Sequence, residues 1–150
     1  MVSEKAKASM LEAMERGLQR EEKDPLIPDS ARHLKAAWTT LNVMRQAPVT
    51  IFIVNPLGID LRKAITAEER IYEICNAQSI GANIENMTLT ATDLGLGSLW
   101  ICDTYFAYDE LMEWLNMEGT LVAAIVLGYA DESPVARPRK AVFEIVEWRE

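Results

Sequence analysis

The chain has 150 residues, of which 49% are hydrophobic and 25% are charged, and its formal net charge is −8. This composition predicts one soluble globular domain over residues 1–150, without disorder. The negative charge argues against nucleic acid as a partner, because a phosphate backbone would be repelled. No apolar run approaches the roughly 18 residues of a membrane span, so no membrane association is expected.

Two cysteines and a single histidine limit the chemistry that the side chains can support. Cys75 and Cys102 fit no metal-ligand spacing, and reduced thiols in a cytoplasmic protein are the simpler interpretation. His33 is expected at a helix surface or cap. A histidine-based metal site or catalytic triad within the chain is therefore nearly excluded, and we assign no metal ligand.

The first third of the chain predicts two helices followed by a buried strand. Residues 3–23 have an amphipathic helical pattern. Asp29 or Ser30 caps a second helix that runs through Arg45. Residues 49–54 are almost continuously apolar and β-branched, which is typical of a strand buried on both faces.

A long helix is predicted next. Thr66 and Glu69 have the spacing of a capping box, and apolar residues then step by threes and fours from Ile80 to Leu94. Gly95 is a natural helix stop. The helix has roughly 28 residues and a length of about 42 Å. It carries few charges, and a small domain rarely covers so long a helix, so we expect a partner subunit to cover it.

The last third predicts further strands at 98–101, 120–127 and 142–148, with a short helix at 109–115. The proline-containing basic stretch 133–140 is expected to be an ordered loop or an extended arm. The irregular interleaving of helices and strands predicts an α+β layered fold, in which helices flank a small central mixed sheet.

Several segments, in the right order, closely resemble the flavin-dependent nitroreductase family. The main one is AQSIGANIENMTLTATDLGLGSLWI, and the likeness continues at residues 105–106, in the strand at 121–128 and in the basic cluster RPRK at 137–140. It covers most of the chain from about Pro25. The resemblance implies a nitroreductase-like fold, and a homodimer that binds FMN at the subunit interface next to the long helix.

The resemblance assigns the flavin ring to the segment that follows the glycine-containing turn at 95–98. Backbone amides of this segment face the ring in the family, and the matching residues here are Trp100, Ile101, Cys102 and Asp103. Many relatives have glycine near the last two positions, where this chain has none. From the residues alone, the turn is more simply a helix C-cap.

Arg137 and Arg139 form the second half of the candidate site. Guanidinium groups grip a phosphate in a bidentate geometry, and Pro138 restricts the loop beforehand. A solvated basic loop explains the sequence equally well. The resemblance places two basic residues against the FMN phosphate, so both arginines are assigned to it, and Lys140 contributes a general positive field.

The implied function is that of an FMN-dependent NAD(P)H oxidoreductase. It would reduce nitroaromatics, quinones or similar small-molecule acceptors by ping-pong hydride transfer through the flavin. Because the cofactor carries the chemistry, no catalytic side chain is assigned. One alternative is a non-catalytic dimeric remnant that has lost the flavin. Another is a flavoprotein of the same fold with a different reaction, such as reductive dehalogenation or flavin breakdown.

Members of that family usually begin with about 50 further residues, which include a core strand and an Arg-Arg-Ser-like motif that holds the FMN phosphate. Nothing before Ser3 corresponds to either. We therefore expect an N-terminally shortened chain that binds FMN weakly. One edge of its sheet should be open or covered by the N-terminal helix.

Overall fold

The computed structural model describes residues 2–26 and 28–149 of the chain. In chain order its elements are α1 (Glu4–Glu21), α2 (Ala31–Gln46), β1 (Val49–Asn55), α3 (Ala67–Asp93), β2 (Gly97–Ile101), a 3-10 helix (Asp103–Ala107), α4 (Tyr108–Leu115), β3 (Thr120–Gly128) and α5 (Val142–Ile145). Up to β3, the bounds agree with the sequence prediction to within two residues. The predicted α+β class is confirmed.

The three strands form an antiparallel sheet in the order β1-β3-β2. Since α3 connects β1 to β2 and both pair antiparallel with β3, the two outer strands run in the same direction. The sequence predicted a mixed sheet, and this part of the prediction is wrong for the described residues. The reason is that β3 lies between the two parallel strands, so they never become neighbours.

Helices cover the two faces of the sheet unequally. On one face, α1, α2, the 3-10 helix and α4 form a large core that includes the fully buried Met10, Leu41 and Leu111. On the other face, α3 alone packs on β3, mainly through Ile84 against Ile125. In one copy of the chain α3 is therefore an outer layer, with only its inward side covered.

The fourth predicted strand, at 142–148, is wrong. The segment instead contains the single helical turn α5, in which the backbone N–H of Ala141 donates to Glu144 Oε2 at 2.7 Å. Its apolar side chains, including Val142, Phe143 and Trp148, are exposed. A strand needs a neighbouring strand for its backbone hydrogen bonds. No strand in the described part of the chain pairs with this segment, so its alternating apolar side chains do not become part of the sheet.

The N-terminal segment partly covers one edge of the sheet. The backbone N–H of Val2 donates to the carbonyl oxygen of Thr50 in β1 at 2.8 Å, and Lys7 Nζ donates to Ala47 O at 2.7 Å. At the opposite edge, β2 pairs with β3 alone among the described strands. The edge next to the candidate site is therefore the open one.

Gly17 allows α1 to approach the 3-10 helix closely, because a Cβ at this position would overlap the Cβ of Ala107. We predict that Gly17→Ala destabilises the protein by about 1–2 kcal/mol in denaturant unfolding. Overpacking costs about 1–3 kcal/mol, and the better helix propensity of alanine offsets up to about 1 kcal/mol of it.

The matched control is Gly81→Ala in α3. A Cβ there would lie 3.7 Å from Cη2 of Trp100, which is an ordinary contact distance. This variant should keep the propensity gain and be neutral or slightly stabilised. Equal stability of the two variants would show that the close approach at Gly17 is unimportant.

Candidate functional site

β2 presents its last residues to opposite faces of the sheet. Trp100 is paired with Ile125, and Ile101 with Ala124. Ile101 is 2% exposed and belongs to the large core, whereas Trp100 is 40% exposed and lies on the side of α3, close to Gly81. Of the two predicted site residues in β2, only Trp100 therefore offers its side chain to a ligand.

The chain turns immediately after β2. Cys102 is accessible to solvent, and Asp103 begins the 3-10 helix. Oδ2 of Asp103 accepts a hydrogen bond of 2.6 Å from the hydroxyl of Thr40 in α2. The sequence reasoning missed Thr40, because nothing in the local pattern links α2 to a residue 63 positions away. The carboxylate of Asp103 is thus hydrogen-bonded within the chain.

The pKa values of two titratable side chains near this turn are shifted further above neutral pH. Burial, together with the negative charge of Asp103, raises the pKa of the Cys102 thiol. Burial also raises the pKa of Tyr105, whose ring stacks on Tyr108 with the centroids 6.5 Å apart. Both groups therefore stay protonated at pH 7, so neither is a ready nucleophile or base.

The basic loop at 133–140 has no regular structure, and its residues are exposed. Within the described ranges, the ion pairs and side-chain hydrogen bonds involve other residues than Arg137 and Arg139. In a chain with a net charge of −8, two guanidinium groups without carboxylate partners are available to an external anion.

Strand pairing separates the two halves of the candidate site. Gly97 at the start of β2 pairs with Gly128 at the end of β3, and Ala130 lies against Gly97, so the chain leaves toward the basic loop from this end. Cys102 follows the other end of β2, about 16 Å away at roughly 3.3 Å per residue. The turn and the start of the segment that leads to the basic loop therefore leave the sheet at opposite ends of β2.

In one copy of the chain, these residues lie on an open surface. Two surface grooves of about 280 and 330 Å³ both lie elsewhere, the first along α1 and the second between α3 and β3. The second is lined mainly by apolar and amide side chains, among them Asn83, Asn86, Met87 and Leu127. Neither contains a residue that the sequence assigned to the site.

The outward side of α3 is uncovered and carries several large apolar side chains. Ile71 and Leu89 are 61% and 59% exposed, and Tyr72 and Ile74 are similarly accessible. Between residues 71 and 94 the formally charged side chains are two glutamates and one aspartate. Clusters of exposed apolar side chains on a surface with few charges are typical of interaction surfaces, so this side of α3 is a candidate for one.

The described ranges contain no group of three or more potential ligands placed to hold a metal ion. They also contain no helix that is both long enough and apolar enough to cross a membrane.

Comparison with solved structures shows which fold the chain shares. It resembles a BluB-like flavoprotein from Clostridium difficile 630, with a TM-score of 0.73 and 23% identity, over 100% of this chain and 77% of that one. It also resembles the FMN-dependent nitroreductase NfnB from Mycobacterium smegmatis, solved in complex with NADPH, with a TM-score of 0.71 and 19% identity, over 99% and 77%.

A third similar structure is the FMN and NADPH-dependent nitroreductase NfnB from Sphigopyxis sp. strain HMH. Its TM-score is 0.65 and its identity 14%, over 99% of this chain and 78% of that one. At these identities, the likeness shows the fold. The search of curated proteins gives no significant match.

A model of the nitroreductase family matches residues 1–129. The matched range includes the segment from Trp100 to Asp103 and ends before Arg137 and Arg139. The roles of both groups of residues stay predictions. The range covers most of the chain, which confirms the resemblance seen in its sequence. The chain therefore belongs to the nitroreductase family.

Proposed function

We propose that the protein is a flavin-dependent oxidoreductase that binds FMN and accepts electrons from NAD(P)H. The observation that carries this proposal is the family match over residues 1–129. Support comes from two solved structures of the same fold, whose names state dependence on FMN and NADPH. The electron acceptor is a small molecule such as a nitroaromatic or a quinone.

The residues present fit FMN. Arg137 and Arg139 have no internal anionic partner among the described residues, and a phosphate dianion is the charge that such a pair binds best. The turn of Cys102 and Asp103 lies at the other end of β2, where its backbone would face the flavin ring.

Bound FMN would supply the hydride chemistry, and the chain would supply grip, orientation and shielding. The arginines would neutralise the phosphate, and the partly exposed ring of Trp100 would offer an apolar surface beside the flavin. Cys102 and Tyr105 have raised pKa values and hold their protons throughout. In a ping-pong cycle the nicotinamide donor leaves before the acceptor binds, so one open face serves both.

The proposal includes a homodimer with α3 in its interface. The uncovered apolar side of α3 is the argument for a second copy, because burying such surface contributes roughly 25 cal/mol per Å². Trp100 lies close to Gly81 of the same helix. A copy that covers α3 would therefore also enclose the end of β2, which one copy leaves on open surface.

We predict that the purified protein is yellow or becomes so with added FMN, and that it oxidises NAD(P)H in the presence of a nitroaromatic or quinone. Absorbance spectra before and after denaturation, with chromatography of the released flavin, test the first part. Spectrophotometric assay of NAD(P)H tests the second.

A protein that binds no FMN would contradict the proposal and favour the non-catalytic remnant. A flavin-loaded protein that NAD(P)H does not reduce would favour a flavoprotein with another reaction. The similarity to a BluB-like flavoprotein is the observation that favours a flavoprotein with another reaction as the second candidate function.

For the basic loop, we predict that Arg137→Ala combined with Arg139→Ala weakens FMN binding by about a hundredfold or more, with little change for riboflavin. Charge-assisted hydrogen bonds contribute roughly 1.5–3 kcal/mol each, and only FMN carries the phosphate that would receive them. Fluorescence titration of both flavins measures the difference.

Arg149→Ala is the matched control, because this arginine lies in the same C-terminal segment but pairs with Glu147 at 3.2 Å. It should leave both affinities unchanged. Equal losses for FMN and riboflavin in the double variant would return the two arginines to a structural role.

For the dimer, we predict that Leu89→Lys shifts the protein towards monomer in sedimentation velocity, because it places a charge on the outward side of α3. Met117→Lys is the control, since Met117 is 56% exposed, nearly as much as Leu89, but lies in the loop after α4. A wild-type protein that is monomeric at micromolar concentration would refute the dimer.

A further inference from the structure

The hydrogen bond between Thr40 and Asp103 connects α2 to the turn after β2. The Thr40 hydroxyl donates to Asp103 Oδ2 at 2.6 Å, and both side chains are partly buried. This is a short hydrogen bond between a hydroxyl and a carboxyl oxygen.

The residues around this bond show what it restrains. Ile101 before the turn and Thr104 after it are buried in the protein interior, whereas Cys102 is exposed and Asp103 is only partly buried. The 3-10 helix that follows is fixed from the other side by α1, where Gly17 packs against Ala107. The turn is thus a two-residue step between two buried residues.

Within this step, the Thr40 bond is the only side-chain hydrogen bond found in the described structure. Cys102 contributes its carbonyl oxygen, which accepts the backbone N–H of Tyr105 at 3.1 Å. Without Thr40, the carboxylate of Asp103 would be free to rotate into solvent. The turn would then lose the one side-chain hydrogen bond that connects it to α2 in the described structure.

We propose that Thr40 and Asp103 are positioning residues, which hold the backbone of the Cys102–Asp103 turn in a fixed orientation toward the flavin ring. The inference rests on the proposed function and deepens it. Asp103 serves through its anchored side chain, and its backbone, not its carboxylate, meets the cofactor. A turn that is ordered before binding avoids the loss of conformational freedom that would otherwise oppose binding.

This role predicts a pattern of flavin affinities that differs from the one expected for the basic loop. The turn faces the ring, which FMN and riboflavin share, so loosening it should weaken both flavins by the same factor. The environment of the ring should also change, and the visible absorption bands of bound flavin report on that environment directly. Loss of a phosphate contact would instead affect FMN alone.

The test compares three substitutions in α2. Thr40→Val removes the hydroxyl and keeps the shape of the side chain, Thr40→Ser keeps the hydroxyl, and Thr39→Val is the matched control. Thr39 is the adjacent residue, and its hydroxyl donates to Lys35 O within the same helix at 3.1 Å. The measurements are the dissociation constants of FMN and riboflavin, the visible spectrum of bound flavin, and the melting temperature of the flavin-free protein.

We expect Thr40→Val to weaken both flavins by about tenfold and to shift the visible bands. Thr40→Ser and Thr39→Val should behave like the wild type. If Thr40→Val does not fold, Asp103→Asn gives the same comparison, because a neutral amide accepts the hydroxyl more weakly.

Unchanged affinities and spectra in Thr40→Val, with flavin bound normally by the wild type, would overturn the positioning role alone. A loss confined to FMN would also overturn it, because the effect would then lie at the phosphate. A fall in affinity that Thr39→Val reproduces would mean a general effect on α2, which contradicts the inference. A wild-type protein that binds neither flavin would overturn the proposed function and this inference with it.

Discussion

The helix α3 is longer than the sheet on which it packs, and this difference in length determines which apolar side chains the chain exposes. A helix of 27 residues is about 40 Å long, whereas the nine residues of β3, the longest strand, span about 30 Å. Ile84 and Ala91, the buried residues of α3, lie in its second half. Ile71 and Tyr72 in the first half extend past the sheet and stay exposed. The helix therefore has more apolar surface than its own chain can cover.

The same helix leads directly into the candidate site. Gly95, with φ of +73°, ends α3 in the left-handed conformation that glycine adopts without strain, and β2 begins two residues later. Trp100 then returns along α3 and packs near Gly81. The uncovered helix surface and the end of β2 are consequently neighbours. A partner that buried one would change the solvent access of the other, so the proposed dimer and the proposed flavin site would be linked.

Local signals account for the parts of the fold that the sequence predicted well. In the capping box, the N–H of Glu69 donates to Thr66 Oγ1 at 3.2 Å and the N–H of Thr66 donates to Glu69 Oε2 at 2.7 Å. Both partners are three residues apart, so the start of α3 could be located from the sequence. Periodicity over a few residues located the strands up to β3 in the same way.

Pairing between distant segments is where the prediction failed. No local pattern shows that β3 lies between β1 and β2, so the neighbours in the sheet were unpredictable. The alternation of apolar side chains at 142–148 is typical of a strand, but it does not show which strand would pair with it. The chain forms α5 there instead. The hydrogen bond from Thr40 to Asp103 also joins distant segments, so the sequence did not predict it. For the site, the sequence located the turn after β2, while its support from α2 emerged only from the packed structure.

The two halves of the candidate site differ in how firmly the chain holds them. The turn after β2 is fixed between the buried Ile101 and Thr104, whereas the basic loop is exposed and its arginines have no internal partner in the described ranges. An arginine–phosphate hydrogen bond contributes roughly 1.5–3 kcal/mol. Ordering the backbone of one residue costs about 1–2 kcal/mol of conformational entropy, so two such bonds offset the ordering of only a few residues. The loop at 133–140 is longer than that, even though its prolines restrict φ beforehand. A phosphate alone would thus order the arginines incompletely. Val142 and Phe143, the exposed apolar side chains that follow the loop, would add stabilisation if a further surface covered them. In the proposed dimer, a second copy that covers α3 would be one source of such a surface, so the proposed phosphate site and the proposed dimer would support each other.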